Sequence, residues 1–458
     1  MAIEAAPFYP VQPRRVPDYV STWRGFFGER LRNTIYGWPE PAFGEAHRLR
    51  VVMGYRVHLI LDPDLVEHVL LNNKANYIRP SLTQRLLSPV IGNGLLTAEG
   101  DLWRKQRKIV APTFSPGAVA AMGEIIAGVT RDRIADWPYA TRRIDMADEA
   151  THTTMQVIAN SLFAGDKRLV TDGSTKHIAA MLDAGGQARL SLMLGLQDWD
   201  MSKPMREGRK GQRYLRETLG QLVDERGPGG GKDDFFGSLI RALYLEFPDT
   251  EARELAIDNA ITFYLAGHET TANTLAWTIY LLAAQPALQE EVRAEALAAL
   301  ADPDTAKLAD RLPLLRRVVE ESLRLYPPAP RLDREAVADD VIENERAGVI
   351  RVKKGDLLSV WPWVLHHHRT WWDDPERFDP DRFLPERRTA YHRHQYIPFG
   401  AGPRICVGAR FAMTEALIIL AYWMSARRFT LPQGFRPDPA ASITLRPRGG
   451  MPLMAEVV

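Results

Sequence analysis

Residues 399–408 read Phe399-Gly400-Ala401-Gly402-Pro403-Arg404-Ile405-Cys406-Val407-Gly408 and contain the chain's single cysteine. Two glycines ahead of Cys406 permit a tight loop with unusual dihedrals, and Gly408 leaves room for a flat ligand or a backbone to come close. A helical pattern begins near Val407 and runs to Met424, so a helix N-terminus points at the sulfur, where its free N–H groups and dipole favour a thiolate. Arg404 adds a positive charge two residues away. A free thiol has a pKa of about 8.5. Here every neighbour is expected to favour the anion, and a bound metal would deprotonate it outright. On these residues alone three other readings stay open. One is an inert loop cysteine, and another is a thiol nucleophile with His392 or His394 as its base. The third is a dinucleotide loop on Gly400 and Gly402, although the third glycine of that fingerprint is misplaced and Pro403 stiffens the turn.

Upstream, one helix stands out. It starts near Thr250 and runs to Ala284, where Gln285-Pro286 stops it, a length of about 50 Å. Apolar residues surround it, including Ile257, Ile261, Phe263, Leu265, Leu275, Trp277 and Leu281, and a helix apolar on all sides is buried. Its middle reads Ala266-Gly267-His268-Glu269-Thr270-Thr271. Ala266 and Thr270 share a face, and Gly267 removes bulk so that a ligand can lie against the backbone. Thr270 can open the helix locally and hydrogen-bond to a bound molecule. Glu269 is an acid in mostly apolar surroundings, costly unless useful. Glu321-Ser-Leu-Arg324 places a carboxylate and a guanidinium on one helix face, just before Leu325-Tyr-Pro-Pro328. In Trp103-Arg-Lys-Gln-Arg107 an indole and a guanidinium face the same way. His366-His367-His368 cannot all face one metal from a strand and is read as structural.

The remaining texture is that of a large globular chain. It has 458 residues, 45% hydrophobic and 25% charged, with a formal net charge of +1, so no global field favours nucleic acid or an anionic membrane. With one cysteine no intrachain disulfide forms, and a reducing compartment is expected. The N-terminus lacks the pattern of a signal peptide. No stretch reaches the roughly 18 apolar residues of a membrane span; the closest, Phe411 to Met424, is interrupted by Glu415. Residues 1–50 are Pro-rich and aromatic, expected as a surface arm. Residues 50–62 read as two strands about Gly54, helices dominate 63–326, and a flexible insertion falls at Gly227-Pro-Gly-Gly-Gly-Lys-Asp-Asp. Residues 331–365 read as short strands, and 428–458 as strand and turn. The expectation is a mainly α fold with smaller β regions (α+β). It comprises an N-terminal arm and β region (1–62), a helical part (63–330) and a β-rich part with the cysteine loop and a following helix (331–458), merged into one catalytic domain.

The segment Phe399–Gly408 resembles the haem-binding loop of the cytochrome P-450 superfamily, the haem-thiolate monooxygenases, and the order of the other motifs agrees over essentially the whole chain. The resemblance implies haem b with Cys406 as iron ligand, the loop residues Phe399, Gly400 and Gly408 around it, and Ala266 and Gly267 of the long helix above. It implies propionate binding by Trp103, Arg107, Arg404 and Arg334, with Arg331 a rival for the last role. Glu269 and Thr270 match the oxygen-activation motif, with Glu where many members have Asp. Glu321 and Arg324 match a buried pair that links to an arginine of a later Pro-Glu-Arg-Phe segment, here Arg377. The substrate pocket is expected from residues 77–95, Asn259, Thr262, Phe263, Ala266, Ala329-Pro330 and Ile443-Thr444, with a lid near Leu190–Leu196. Arg79 could pair with a carboxylate, with solvent the expected partner.

The resulting reading is a cytoplasmic, monomeric monooxygenase. It inserts one atom of O2 into a hydrophobic small molecule by C–H hydroxylation or epoxidation. Electrons come from NAD(P)H through a separate ferredoxin or flavodoxin and its reductase, because the chain after Cys406 is too short for a fused one. Docking of that partner is expected near Lys105, Lys108 and Arg410. No nucleic-acid or membrane partner is expected. A peroxide-driven enzyme and a non-catalytic haem sensor are the rivals, and the Glu269-Thr270 pair argues against both.

Overall fold

The structure, a computed structural model, describes residues 7–20, 28–52, 54–186 and 200–458; the expected lid at Leu190–Leu196 lies outside them. A 35-residue helix, Asp249–Ala283, crosses the interior. Pro248 stands at its N-terminus, where a missing N–H costs nothing, and Gln285-Pro286 stops it at the other end. Its apolar surface is covered by the helices Met146–Leu162, Lys203–Arg226, Phe235–Glu246, Pro313–Leu325 and Ala409–Ala426. Trp277, Leu275, Ile261 and Tyr264 are completely buried there.

A five-stranded sheet lies beside this helical body, in the order His47–Val52, Tyr55–Ile60, Leu357–Val360, Leu332–Ala336, Tyr77–Ile78. Gly54, in the left-handed region at φ +84°, turns the first hairpin. Tyr55–Ile60 then pairs in parallel with Leu357–Val360. The early and late β segments therefore share one sheet. Two short strands fall inside the stretch expected to be helical. Tyr77–Ile78 pairs with Leu332–Ala336, and Arg142–Asp145 with the terminal strand Pro452–Val457. Local periodicity cannot reveal such pairings, because the partners lie hundreds of residues away.

The described N-terminal residues are not a surface arm. Ile35, Ala42 and Phe43 are fully buried, and the Arg15 guanidinium sits 3.6 Å over the Phe43 ring. The glycine-rich segment after Arg226 is likewise compact. Asp234 pairs with Arg226 at 2.6 Å and caps the next helix by accepting from the Gly237 N–H. A side chain on Gly230 would strike the backbone of Gly237. Among the described residues, no single helix is long and apolar enough to cross a membrane.

Candidate functional site

Cys406 lies in a loop closed by its own N–H, which donates to the Phe399 carbonyl at 2.9 Å. Gly400 (φ +75°) and Gly402 (φ +69°) occupy left-handed conformations. A side chain on Gly402 would collide with the carbonyl of Leu70, so this glycine seats the loop against the protein. Gly408 differs: a Cβ there would meet only Phe114, at 3.8 Å, and the space it leaves belongs to a cavity of about 1350 Å³ that Phe399, Gly400, Cys406 and Gly408 all line.

The thiol's surroundings correct the expectation that every neighbour favours the anion. Burial pushes the Cys406 thiol up, while the Gly408 backbone N–H and the Arg107 charge pull it down. Arg404 is turned elsewhere, donating to the Ala98 carbonyl at 2.8 Å and pairing with Glu99 at 2.7 Å. His392 and His394 are not bases for the thiol, since they face Asp64 and Glu67. With Glu67 they bring three donor atoms within 4.8 Å of one another. The His394 N–H donates to His392 Nδ1 at 3.1 Å, so a neutral His392 ring carries its proton on Nε2, toward Asp64.

Opposite Cys406 the long helix contributes Thr262, Phe263, Ala266, Gly267, Glu269 and Thr270 to the cavity wall. Ala266 is exposed to that space in the middle of a buried helix. Thr270 donates to the Ala266 carbonyl at 2.8 Å and Thr271 to that of Gly267 at 3.2 Å. Thr271 is buried, whereas Thr270 is only partly covered. The Glu269 carboxylate accepts from Thr444 Oγ1 at 2.5 Å, a partner the sequence did not suggest. At Gly267, a side chain would meet Ile158 of the neighbouring helix at 2.7 Å, so helix packing as well as ligand access requires this glycine. Ala329 and Ile443 line the cavity, as do Leu82, Leu87, Ile91 and Leu95 from 77–95. Asn259 does not. It is buried, donates to Gln106 at 2.7 Å and accepts from the Leu95 N–H at 2.9 Å, tying the long helix to the segment above it.

Five arginines line this part of the cavity. Arg107 donates to the Ile405 carbonyl at 3.0 Å, and the Arg404 guanidinium lies 4.3 Å over the Trp103 ring. Arg334 donates to the Asp333 carbonyl at 2.8 Å, while its rival Arg331 is more exposed and pairs with Asp333. Arg79 does not meet solvent. It is largely buried, 3.6 Å from Glu99, with its Nε lacking a hydrogen-bond partner. Burial first, then the charges of Arg404 and Arg334, lower its pKa to about 9. Burial similarly lowers Arg404 to about 10 and depresses Arg334. Glu99 is the carboxylate that Arg79 and Arg404 share. Such a cluster lacks counter-charge and fits a cofactor bearing carboxylates.

Behind the loop, Arg324 donates to both oxygens of Glu321 at 2.7 and 2.8 Å, and to the carbonyls of His366, Pro375 and Arg377. The second guanidinium at Glu321 is that of Arg382, at 3.5 Å. Arg377 is exposed and offers only its carbonyl, which corrects the expected assignment. Two Pro-x-Arg-Phe segments stand in tandem, Pro375–Phe378 and Pro380–Phe383, and the second is the one whose arginine turns inward. The three histidines are buried; His366 accepts from the Ile397 N–H and helps seat the chain leading to the loop.

A lone thiol and a row of under-compensated arginines opening onto one largely apolar cavity suit a protein that holds an anionic, metal-bearing group. The sequence profile described as Cytochrome P450 matches residues 40–454. The chain is 32% identical to a putative cytochrome P450 132 of Mycobacterium tuberculosis, covering 87% of each chain. It is 31% identical to a cyclooctat-9-en-7-ol 5-monooxygenase of Streptomyces melanosporofaciens, over 88% of this chain and 85% of that one. The crystal structure of a cytochrome P450, CYP102L1, superposes with a TM-score of 0.75 at 26% identity, covering 90% of this chain and 92% of the other. The chain belongs to the cytochrome P450 family. It is a haem-thiolate monooxygenase with the α+β fold of that family, working with haem, O2 and electrons derived from NAD(P)H, and with redox partner proteins.

Proposed function

We propose that Cys406 Sγ would hold the haem iron as its thiolate and that Trp103, Arg107, Arg334 and Arg404, joined by Arg79, would hold the propionates. The observation that carries this is the placement of the thiol and the arginine row on one cavity under Ala266. Thiolate-ligated haem supplies oxygen activation. The protein's own part is to bind, orient and manage protons. The Gly408 N–H and the Arg107 charge favour the thiolate that would hold the iron. Arg79 and Arg404, which share only Glu99, would have donor capacity left for a propionate. Phe399, Gly400 and Gly408 frame the space beside Cys406, while Ala266 and Gly267 keep the opposite wall low.

Thr270 orients a water at the reacting end of the cavity. Glu269 is the proton source behind it, with one oxygen engaged by the Thr444 hydroxyl. Thr262, Phe263, Ala266, Ala329 and Ile443 present an apolar surface, so the substrate is a hydrophobic small molecule oxidised by C–H hydroxylation or epoxidation. Two similar proteins are named as a monooxygenase and as cytokinin hydroxylase. A ferredoxin or flavodoxin docks near Lys108 and Arg410; Lys105 contributes less, being paired with Glu246 at 2.8 Å. The protein works in the cytoplasm as a monomer.

The test is turnover with O2 and surrogate redox partners, after a compound screen read as spin-state change. Product formed only with O2 and reductant supports the reading. Product formed equally with peroxide alone contradicts it.

A further inference from the structure

A second cluster of ligating side chains stands apart from the cavity, where the short helix Pro63–Glu67 meets the chain leading into the Cys406 loop. His392 Nε2 lies 3.1 Å from Asp64 Oδ1 and 4.0 Å from Glu67 Oε2, and His394 Nδ1 lies 3.3 Å from the same Glu67 oxygen. Asp64 and Glu67 are three residues apart on the helix and share a face. The turn that presents the two rings is fixed by its own hydrogen bonds. The His392 N–H donates to Gln395 Oε1 at 3.0 Å, the Gln395 N–H to the His392 carbonyl at 3.0 Å, and the Gln395 amide to the Trp371 carbonyl at 3.1 Å. His394 is only 3% exposed. Its Nδ1 is aimed at Glu67, yet among the described residues it makes no hydrogen bond. Buried polar atoms are normally satisfied. A buried ring nitrogen that faces a carboxylate without bonding to it marks a place for a cation between the two.

Two imidazoles with two carboxylates are the donor set of a borderline divalent metal, zinc above all. Mg2+ and Ca2+ prefer oxygen ligands throughout. Ligand atoms on a tetrahedral zinc, each at about 2.0–2.1 Å, stand about 3.3 Å from one another. The His392–Asp64 and His394–Glu67 separations are already close to that. The His392–Glu67 separation closes by movement of the half-exposed Glu67 side chain. We propose that Glu67, His392 and His394, with Asp64 as fourth donor, bind one zinc ion. The metal takes the position of the proton that neutral His392 carries on Nε2. That proton moves to Nδ1, at the expense of the hydrogen bond from the His394 N–H. The exchange keeps the affinity on the order of micromolar, below that of a closed structural site. The turn after Glu67 carries the Leu70 carbonyl on which Gly402 is seated. The ion therefore ties the histidine turn to the support of the Cys406 loop.

The experiment is a calorimetric titration of the haem-loaded protein, first treated with a chelator, with Zn2+ and with Mg2+. The wild type takes up one Zn2+ per chain with a dissociation constant on the order of micromolar and does not take up Mg2+. Excess Zn2+ raises its thermal unfolding midpoint, because the ion binds the folded chain. Glu67→Gln, His392→Gln and His394→Gln each weaken Zn2+ binding by about tenfold or more and remove the rise in midpoint, with the CO spectrum unchanged. His392→Gln and Glu67→Gln, at partly exposed positions, keep the test decisive where the buried His394→Gln fails to fold. His152→Gln, in the helix Met146–Leu162, leaves Zn2+ binding as it was. Absence of Zn2+ uptake by the wild type overturns the proposal and leaves His394 and Glu67 as an ion pair. Zn2+ uptake that Glu67→Gln and His392→Gln do not weaken places the ion elsewhere and overturns it as well. So does an effect of His152→Gln as large as that of His392→Gln, or Zn2+ uptake that leaves the midpoint where it was.

Discussion

Arg324 and Arg79 are both buried arginines near the cofactor loop, and they are treated in opposite ways. Arg324 is 0% exposed and its guanidinium is saturated by both oxygens of Glu321 and three backbone carbonyls. Arg79 is left with a distant share of one carboxylate and an Nε without a partner. A fully answered charge holds the fold together. An under-answered one is tolerated because something else completes it. The two arginines thus differ in how fully their charge is answered within the protein.

The largest effect is expected at the saturated pair. Glu321→Ala or Arg324→Ala leaves an unpaired buried charge at a cost of about 3–5 kcal/mol, read as a lowered midpoint in denaturant and protein that fails to retain haem. Arg382→Ala follows with a smaller loss, and Arg377→Ala stays near wild type. A reversal of the last two would restore the first Pro-x-Arg-Phe segment as the partner. Next comes Arg79→Gln. It should speed haem loss to apomyoglobin while leaving the apoprotein as stable as wild type or more so, because a poorly compensated charge has gone. An apoprotein destabilised as much as by Arg324→Ala would erase the distinction.

Thr270→Ala should leave haem content and substrate binding intact and lower product formed per NAD(P)H, with peroxide released. A positioned proton donor contributes about 10²–10⁴-fold, with water recovering part of it. Thr270→Ser should retain most coupling. Thr271→Ala should matter less, since that side chain is buried and bonded to Gly267. The reverse order would place the other threonine at the reacting end.

The smallest effect is expected at Glu415. It is buried in the helix after Cys406, and burial holds its carboxyl well above the usual carboxylate range, a shift the Thr271 hydroxyl only tempers. Glu415→Gln, which keeps the shape and removes the acid, should change thermal stability by less than about 1 kcal/mol. A strong pH-dependent loss would mean that it ionises in use.

What the sequence disclosed was local chemistry with a tight spacing. The Gly-x-Gly frame of Cys406, the break at Gln285-Pro286 and the Glu321–Arg324 pair are each decided within a few residues. What it withheld depends on distant chain segments. The choice of Arg382 over Arg377 turns on which side chain points inward, since both sit in the same four-residue pattern. Glu269 meets Thr444 across 175 positions. Arg79 looked like a surface residue until the arginines near 334 and 404 were seen around it. Asn259 shares the periodicity of the cavity-facing residues, yet it is spent on a hydrogen bond to Gln106.

The measurement that bears most directly on the account is the absorption spectrum of the reduced, CO-bound protein and of Cys406→His. The wild type should show the red-shifted Soret band of thiolate ligation, and Cys406→His should lose that band even where haem is retained. An unchanged band in Cys406→His, or its absence from haem-loaded wild type, would contradict ligation by Cys406.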